Sequence, residues 1–224
     1  KEANKQNIPV IVDNTFATCL SQKPLELGAT ISLISTTKYI NGHSDALGGA
    51  VLTNDESWHK KMVLSQKALG LQPSPFDCWL ITRGVKTLTL RLKQQNDNAS
   101  SIADDLANNP FINWVRYPFR KDHPQHDLAK KQMKLGGAMI TASLRANKQS
   151  TFLFCKKLKY FTMAESLGGI ESLISHPSAM THASLDHKTK LKLGIEDNLV
   201  RLSIGCEDIK DLKKDIKQAL LHLK

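Results

Sequence analysis

The chain has 224 residues, of which 41% are hydrophobic, and its 31 Lys and Arg against 21 Asp and Glu give a formal net charge of +10. This length accommodates one large domain or two small ones, each with a hydrophobic core. The sequence has no run of about 18 apolar residues and no signal-peptide pattern, so we expect a cytoplasmic protein without a membrane partner.

Short apolar runs separated by turn residues predict strands and helices in alternation along the first half of the chain. Residues 1–7 are typical of the end of a helix, and residues 8–12 are predicted to form a buried strand. Further along, we expect a helical turn closed by glycine at 24–29, strands at 31–35 and 48–53, and helices at 56–69 and 76–107. The last helix is predicted to kink at Gly84 and to join two domains. Its buried side is expected to contain Trp79, Leu80, Val85, Leu88, Leu92 and Ile102.

The second half of the chain alternates strand and helix patterns in the same way, without an internal repeat or a low-complexity tract. We predict strands at 115–117, 138–144, 161–164 and 199–204, and helices at 127–133, 151–158 and 209–223. The whole pattern is that of an α/β protein.

The positive charge is compatible with nucleic-acid binding, but its distribution argues against it. In residues 210–224 the lysines alternate with Leu212, Ile216 and Leu220, which recur at helical spacing, so they form the solvated face of a helix. Aromatic residues make up only 6% of the chain and do not interleave with basic clusters, as a single-strand binding surface requires. We therefore predict no nucleic-acid partner and keep a basic binding protein as an alternative.

The cysteine spacing argues against disulfides and metal sites. Cys19, Cys78, Cys155 and Cys206 are widely separated, with no CxxC pair and no histidine at zinc-ligand spacing. The sequence therefore predicts reduced thiols and no bound metal.

Lys38 lies in a stretch that suggests cofactor chemistry. It follows the strand predicted at 31–35, with Ser35 and Thr37 close to it, and Asp13 ends another apolar run upstream. An amine, two hydroxyls and a carboxylate beside strand ends are the groups needed to hold pyridoxal phosphate: the amine forms a Schiff base, the hydroxyls bind the phosphate, and the carboxylate keeps the pyridine nitrogen protonated. Taken one by one, these residues are also typical of a solvated lysine, a turn acid and an ordinary loop.

Arg201 lies in an apolar strand pattern, so its guanidinium requires a partner. The planar fork fits a substrate carboxylate held by two parallel hydrogen bonds. An internal salt bridge to a nearby acid such as Asp208 explains the pattern equally well.

Three segments carry a resemblance to a known family: Val-Asp-Asn-Thr-Phe at 12–16, Ser-Thr-Thr-Lys-Tyr-Ile-Asn-Gly-His-Ser-Asp at 35–45, and Glu-Ser-Leu-Gly-Gly-Ile-Glu-Ser-Leu at 165–173. In them the chain closely resembles the pyridoxal-phosphate-dependent enzymes of Cys/Met metabolism, the transsulfuration family. That family includes the cystathionine gamma-synthases, the cystathionine gamma- and beta-lyases and the methionine gamma-lyases. The similarity runs in order over essentially the whole chain but does not cover a whole family member, so we expect a fragment, the C-terminal three-fifths of such an enzyme.

The resemblance implies an α/β fold of fold-type I. Residues 1–90 would be the C-terminal part of the large, parallel-sheet cofactor domain, and residues 91–224 a smaller α/β domain that holds the substrate carboxylate. For the full-length protein it implies a homotetramer with active sites shared across a dimer interface.

The resemblance also implies a role for each site residue. Lys38 is the catalytic lysine, and the cofactor-binding residues are Asp13, Ser35, Thr37 and Lys38. Arg201 is the α-carboxylate clamp, with Ser166 and Thr181 beside it. Glu165 is positioned to meet the distal amino group of cystathionine or of cysteine.

The activity most consistent with these motifs is that of a cystathionine gamma-synthase, in which cysteine replaces the activated ester group of a homoserine ester. Its substrates would be small amino acids and its cofactor pyridoxal phosphate. Cystathionine gamma-lyase activity, which cleaves cystathionine to cysteine, 2-oxobutanoate and ammonia, is the first alternative. An inactive truncated product is the second.

Overall fold

The computed structural model describes residues 2–223. The chain folds into two compact units. The first contains residues 1–89 and 133–135, and the second contains residues 90–132 and 136–224. No helix of the described range is long and apolar enough to cross a membrane.

The first unit is built on a three-stranded sheet in the order β1-β2-β3. Strand β1 (Ile11–Asp13) runs parallel to β2 (Ile31–Ser35), and β3 (Gly49–Leu52) runs antiparallel to β2. The helices of this unit are α1 (Glu2–Lys5), α2 (Thr18–Ser21), α3 (Glu56–Leu69) and α4 (Pro75–Val85). A turn with one π-helical hydrogen bond, Thr36–Ile40, directly follows β2; this π-helical turn is not a regular helix, because the backbone angles of Lys38 are non-helical.

Local sequence explains where α3 and α4 begin and end. The Asp55 carboxylate accepts hydrogen bonds from the main-chain N–H groups of Ser57 and Trp58, which caps the N-terminus of α3. Gly70 ends α3 in the left-handed conformation at φ 66°, which glycine adopts without steric cost. Ser74 caps α4, whose first turn contains a proline, as is common at helix starts.

The second unit is built on a five-stranded sheet in the order β4-β5-β8-β7-β6. Its strands are β4 (Ile112–Arg116), β5 (Met139–Leu144), β6 (Thr162–Met163), β7 (Leu173–Ser175) and β8 (Leu199–Ser203). Its helices are α5 (Leu88–Ala107), α6 (His126–Gln132), α7 (Lys148–Lys157), α8 (His187–Lys192) and α9 (Ile209–Leu220). Among the strand pairs of this unit within residues 2–223, only β6–β7 is parallel.

The five-stranded sheet has an apolar face and a mostly polar face. On the apolar face, Ile140, Leu202 and Ile174 lie side by side on neighbouring strands and are at most 1% exposed. The apolar side of α9 is also buried and includes Leu212 and Ile216. This packing leaves the small polar residues and Arg201 on the opposite face of the sheet.

The prediction of a buried strand at 8–12 was wrong. Strand β1 begins three residues later, at Ile11, and Ile8 and Ile11 are 52% and 61% exposed. Within the described residues, β1 is an edge strand that pairs only with β2, so an apolar run there does not become a core strand.

The single long helix predicted at 76–107 is two helices. Helix α4 ends at Val85 and α5 begins at Leu88, so the break lies after Gly84 rather than at it. Both the main-chain N–H and the hydroxyl of Thr87 donate to the Gly84 carbonyl, at 3.2 and 3.1 Å, which closes α4. The predicted buried side is also not continuous, since Trp79 and Val85 of α4 are 60% and 42% exposed.

The other predicted elements are present, several with ends shifted by a few residues, and the strand at 31–35 and the helix at 56–69 have the predicted bounds. The helical turn predicted at 24–29 is a series of turns closed by Gly28 at φ 95°. The elements not predicted are short: α2, the π-helical turn, β7 and α8. Elements of this length contain too few residues to establish a periodic pattern.

Candidate functional site

The first group of site residues lies where two parallel strands end. Asp13 is the last residue of β1, and Ser35 is the last residue of β2. Thr15 joins the two ends. Its side-chain Oγ1 accepts from Ser35 N at 2.8 Å, and its main-chain N–H donates to Asp13 Oδ1 at 2.9 Å. The carboxyl edge of a parallel pair is where open α/β sheets commonly bind their ligands.

The π-helical turn that follows β2 carries Lys38. Its wide geometry is closed by hydrogen bonds from Asn41 N to Thr36 O at 2.9 Å and from Gly42 N to Lys38 O at 2.8 Å. At Lys38 the backbone leaves helical geometry, with φ −88° and ψ −129°. The half-buried Lys38 is thus held just beyond the sheet edge that carries Asp13 and Ser35.

Thr37 and Gly48 close the loop around Lys38. Thr37 Oγ1 accepts from Gly48 N at 3.0 Å and lies 3.3 Å from Gly48 O. The same carbonyl also accepts from Thr36 N at 2.9 Å. Because Gly48 O keeps this second bond, the Thr37 hydroxyl can turn its hydrogen to another acceptor without leaving the carbonyl unpaired.

Sequence reasoning missed one hydroxyl of this turn. Thr36 Oγ1 is buried and has no hydrogen-bond partner within the described part of the chain. A Cβ at Gly48 would lie 2.7 Å from it, so glycine is the residue that leaves space beside this hydroxyl. A threonine next to Thr37 carries no signal in the sequence that would single it out.

These residues fit pyridoxal phosphate in kind. Lys38 offers the amine, Ser35 and Thr37 offer hydroxyl donors for a phosphate, and Asp13 offers a carboxylate for a protonated ring nitrogen. The Thr37 hydroxyl is half-buried and its hydrogen can turn from Gly48 O to another acceptor, so it can bond a phosphate oxygen.

The second group of site residues belongs to the second unit and centres on Arg201. Arg201 lies in the middle of β8, opposite Thr141 of β5 and Ser175 of β7, on the polar face of the sheet. Its side chain is half-buried, and its Nη2 donates to the Glu165 carbonyl at 2.9 Å. The guanidinium is therefore oriented by the main chain of the segment that carries two other predicted site residues.

That segment, residues 165–169, contains Glu165 and Ser166. The Glu165 side chain is exposed and Ser166 is half-buried. Further along, Gly168 adopts φ 81°, and its N–H donates to Ser203 Oγ of β8 at 2.8 Å. Strand β8 thus holds the segment twice, through Arg201 and through Ser203.

Thr181 lies in an exposed turn, where its Oγ1 is 2.8 Å from Nδ1 of its neighbour His182. The start of the turn is fixed by Asp197, whose carboxylate accepts from Ser178 Oγ at 2.6 Å. This hydrogen bond is the main cause that holds the pKa of Asp197 below its ordinary value, against a smaller opposing effect of burial.

The chain is similar to one family of enzymes over almost its whole length. A sequence profile of the family described as Cys/Met metabolism PLP-dependent enzyme matches residues 1–221. Cystathionine gamma-synthase of Mycobacterium leprae is 50% identical over 216 residues, which are 96% of this chain and 55% of that protein. Cystathionine gamma-lyase of Dictyostelium discoideum is 47% identical over 211 residues, 94% of this chain and 54% of that protein.

A solved structure extends the similarity to the fold. The crystal structure of cystathionine gamma synthase from Xanthomonas oryzae pv. oryzae, in complex with aminoacrylate and cysteine, superposes with a TM-score of 0.96 and 46% identity. The match covers 99% of this chain and 57% of that one, so the chain spans little more than half the length of the relatives it matches. These similarities confirm the resemblance of the three motifs and the predicted α/β fold of fold-type I.

Proposed function

Because the chain belongs to the Cys/Met metabolism PLP-dependent enzyme family, we propose that the protein is a transsulfuration enzyme that uses Lys38 to bind pyridoxal phosphate and to move protons. The observation that carries the proposal is the position of Lys38 on a π-helical turn beside the carboxyl ends of β1 and β2. Residues 1–90 would hold the cofactor, and residues 91–224 would hold the substrate carboxylate.

The residues of the first unit would bind the cofactor by charge and hydrogen bonding. Ser35 and Thr37 would donate to the phosphate, and the Asp13 carboxylate would keep a proton on the ring nitrogen. The hydrogen bond from Thr15 N holds this carboxylate at the strand end. When bound, pyridoxal phosphate supplies an electron sink for negative charge at the carbons of an amino-acid substrate.

Lys38 would be both the covalent anchor and the general base. Chemistry at Cγ requires protons to be removed from Cα and Cβ in turn, and a single amine on a short flexible stem can reach both carbons. The fixed π-helical turn would aim the Lys38 stem, while its rotatable bonds allow the amine to move between neighbouring carbons.

The residues of the second unit would recognise the substrate. Arg201 would bind the α-carboxylate through two parallel hydrogen bonds, with Ser166 and Thr181 beside it. Its hydrogen bond to Glu165 O supports this role because it fixes the plane of the guanidinium. The exposed Glu165 carboxylate would attract the distal ammonium group of cystathionine or of cysteine.

We favour gamma-replacement, in which cysteine sulfur displaces the ester group of an activated homoserine. Relatives named cystathionine gamma-synthase, which are 50% and 49% identical to this chain, support gamma-replacement. The alternative is gamma-elimination, since relatives named cystathionine gamma-lyase are 47% identical. Both reactions need the same proton transfers, so the residues named above do not discriminate between them. A truncated product without activity is the second alternative.

Product analysis of the full-length gene product separates these activities. A synthase forms cystathionine from O-succinylhomoserine or O-acetylhomoserine and cysteine faster than it releases 2-oxobutanoate from cystathionine. The reverse order of rates would identify a lyase. Absence of both reactions in cofactor-loaded protein would contradict the proposal.

The remaining features of the proposal concern assembly and location. We infer a homotetramer with shared active sites from the resemblance, and light scattering of the full-length gene product tests it. Cytoplasmic location is supported by the free thiols of Cys19, Cys78, Cys155 and Cys206, which are typical of reducing compartments.

A further inference from the structure

The segment of residues 165–169 is held from a third direction, by helix α5. Gln95 lies on α5 and is completely buried, and its Nε2 donates to the Gly169 carbonyl at 2.6 Å. On the side of β8, the segment is bound by Arg201 at Glu165 O and by Ser203 Oγ at Gly168 N. Its main chain is therefore fixed at both ends, and Gln95 provides the contact at the glycine end.

The chain beyond this segment is anchored without Gln95. Asn98, almost one turn later on α5, donates to the carbonyls of Gly205 and Glu207 at 3.1 and 2.9 Å. The Glu207 carboxylate accepts from Ser172 N at 2.6 Å and from Ser172 Oγ at 2.9 Å. Because these bonds already join α5, residue 172 and the chain after β8, the contribution of Gln95 is local to the glycines.

The other end of the Gln95 amide is poorly satisfied. Its Oε1 is buried and has no hydrogen-bond partner among residues 2–223. A buried acceptor without a partner lowers stability, so an apolar side chain of similar length would suit a purely structural position better. Gln95 therefore gives Gly169 O a hydrogen-bond donor, while its own amide oxygen is left without a hydrogen bond.

We propose that Gln95 is a positioning residue for substrate binding. By holding Gly169 O it keeps the segment of residues 165–169 in the arrangement in which Glu165 and Ser166 accompany Arg201. Gln95 does not contact the substrate in this account, and it acts only through the main chain. The inference rests on the proposed function, because it assigns substrate recognition to that segment.

The test compares Gln95→Met with Gln149→Met in the full-length gene product. Met has a similar length and volume but no donor, and Gln149 is an exposed residue of α7 in the same unit. Loss of one neutral hydrogen bond is expected to raise the KM for the homoserine ester, O-succinylhomoserine or O-acetylhomoserine, about two- to tenfold in Gln95→Met. The melting temperature should fall only modestly below that of Gln149→Met, because the carbonyl of Gly169 loses its donor but the unpaired Oε1 is removed at the same time.

A double-mutant cycle with Arg201→Lys separates positioning from general destabilisation. If Gln95 acts through the segment that Arg201 binds, the KM increase from Gln95→Met should be smaller in the Arg201→Lys background. Additive effects, or a lower melting temperature with an unchanged KM, would overturn the proposal. Gln95→Asn, which withdraws the donor by one methylene, replaces Gln95→Met if that variant fails to fold.

Amide hydrogen exchange supplies a readout that is independent of turnover. Gln95→Met should speed exchange in residues 165–170 and leave the amides of α9 unchanged. Faster exchange throughout the second unit, or no change at 165–170, would contradict a local positioning role. Wild-type protein that turns over neither cystathionine nor a homoserine ester would refute the proposed function, while the exchange result would still decide whether Gln95 holds the segment.

Discussion

Replacing Arg201 by alanine tests the proposed contact with the substrate α-carboxylate. The guanidinium is half-buried on the polar face of the second sheet and donates to Glu165 O at 2.9 Å. Removing one partner of a desolvated charge pair costs about 2 to 5 kcal/mol, which corresponds to about a 30- to 5000-fold loss in kcat/KM. Because water reaches part of Arg201, we expect a loss near the lower end of this range.

Two further variants sharpen the test. Arg201→Lys keeps the positive charge but loses the planar fork, so its kcat/KM should lie between those of the wild type and Arg201→Ala. Arg116→Ala is the matched control. Thr141 of β5 pairs with Arg116 of β4 on one side and with Arg201 of β8 on the other, so both arginines lie on the same face of the sheet. The Arg116 guanidinium packs over the Trp114 ring at 4.8 Å, and its loss should change kcat/KM by no more than about twofold.

The assay is steady-state formation of cystathionine from cysteine and O-succinylhomoserine or O-acetylhomoserine by the full-length gene product, with a melting curve for each variant. We expect a lower kcat/KM for the homoserine ester in Arg201→Ala at a temperature where the variant remains folded. Unchanged kcat and KM together with a lower melting temperature would refute it. Arg201 would then be a structural arginine, and an ion pair with Asp208 would be the alternative to examine.

The remaining predictions concern the cofactor, the substrate and pH. Thr37→Val should weaken pyridoxal phosphate binding more than Thr37→Ser does, because serine keeps the hydroxyl that contacts Gly48 and can donate to a phosphate oxygen. Absorbance titration measures the two dissociation constants, and equal values would exclude Thr37 from the phosphate site. Glu165→Ala should reduce kcat/KM for cystathionine more than for smaller amino-acid substrates, and an equal loss for all substrates would remove Glu165 as a selector. The folded pKa of Asp197 is lowered, so its stabilising effect is present above the unfolded pKa of about 4 and is lost as pH falls through the folded value. Melting curves between pH 3 and 7 should therefore show a smaller acid loss in Asp197→Asn than in wild type, and parallel curves would show that the bond to Ser178 has no such effect.

The positions of Lys38 and Asp13 followed from sequence because both residues depend on local signals. Each comes at or just after a short apolar run, and strands that end at one sheet edge bring such residues together. The π-helical turn was not predictable, since five residues with non-helical backbone angles at one of them are too few to produce a periodic pattern of hydrophobic residues. The contact of Thr37 with Gly48 joins residues that are eleven positions apart and also has no local signal.

The errors have a common physical origin in tertiary context. Helical periodicity continued through Lys86 and Thr87, so no pattern indicated that Thr87 would bond Gly84 O and close the helix. Trp79 was assigned to the buried side of that helix from its periodicity, yet it is 60% exposed. Gln95 was an ordinary polar residue of a helix, and only its burial and its bond to Gly169 O make it a candidate for positioning.

The central claim is that Lys38 binds pyridoxal phosphate, and the most direct measurement is chemical trapping. The full-length gene product is incubated with pyridoxal phosphate, reduced with borohydride and digested, and mass spectrometry identifies the lysine that carries the cofactor. We expect a reduced adduct on Lys38 that is absent from Lys38→Ala. An adduct only on other lysines, or none, would contradict the assignment of Lys38 and the proposed enzymatic function with it.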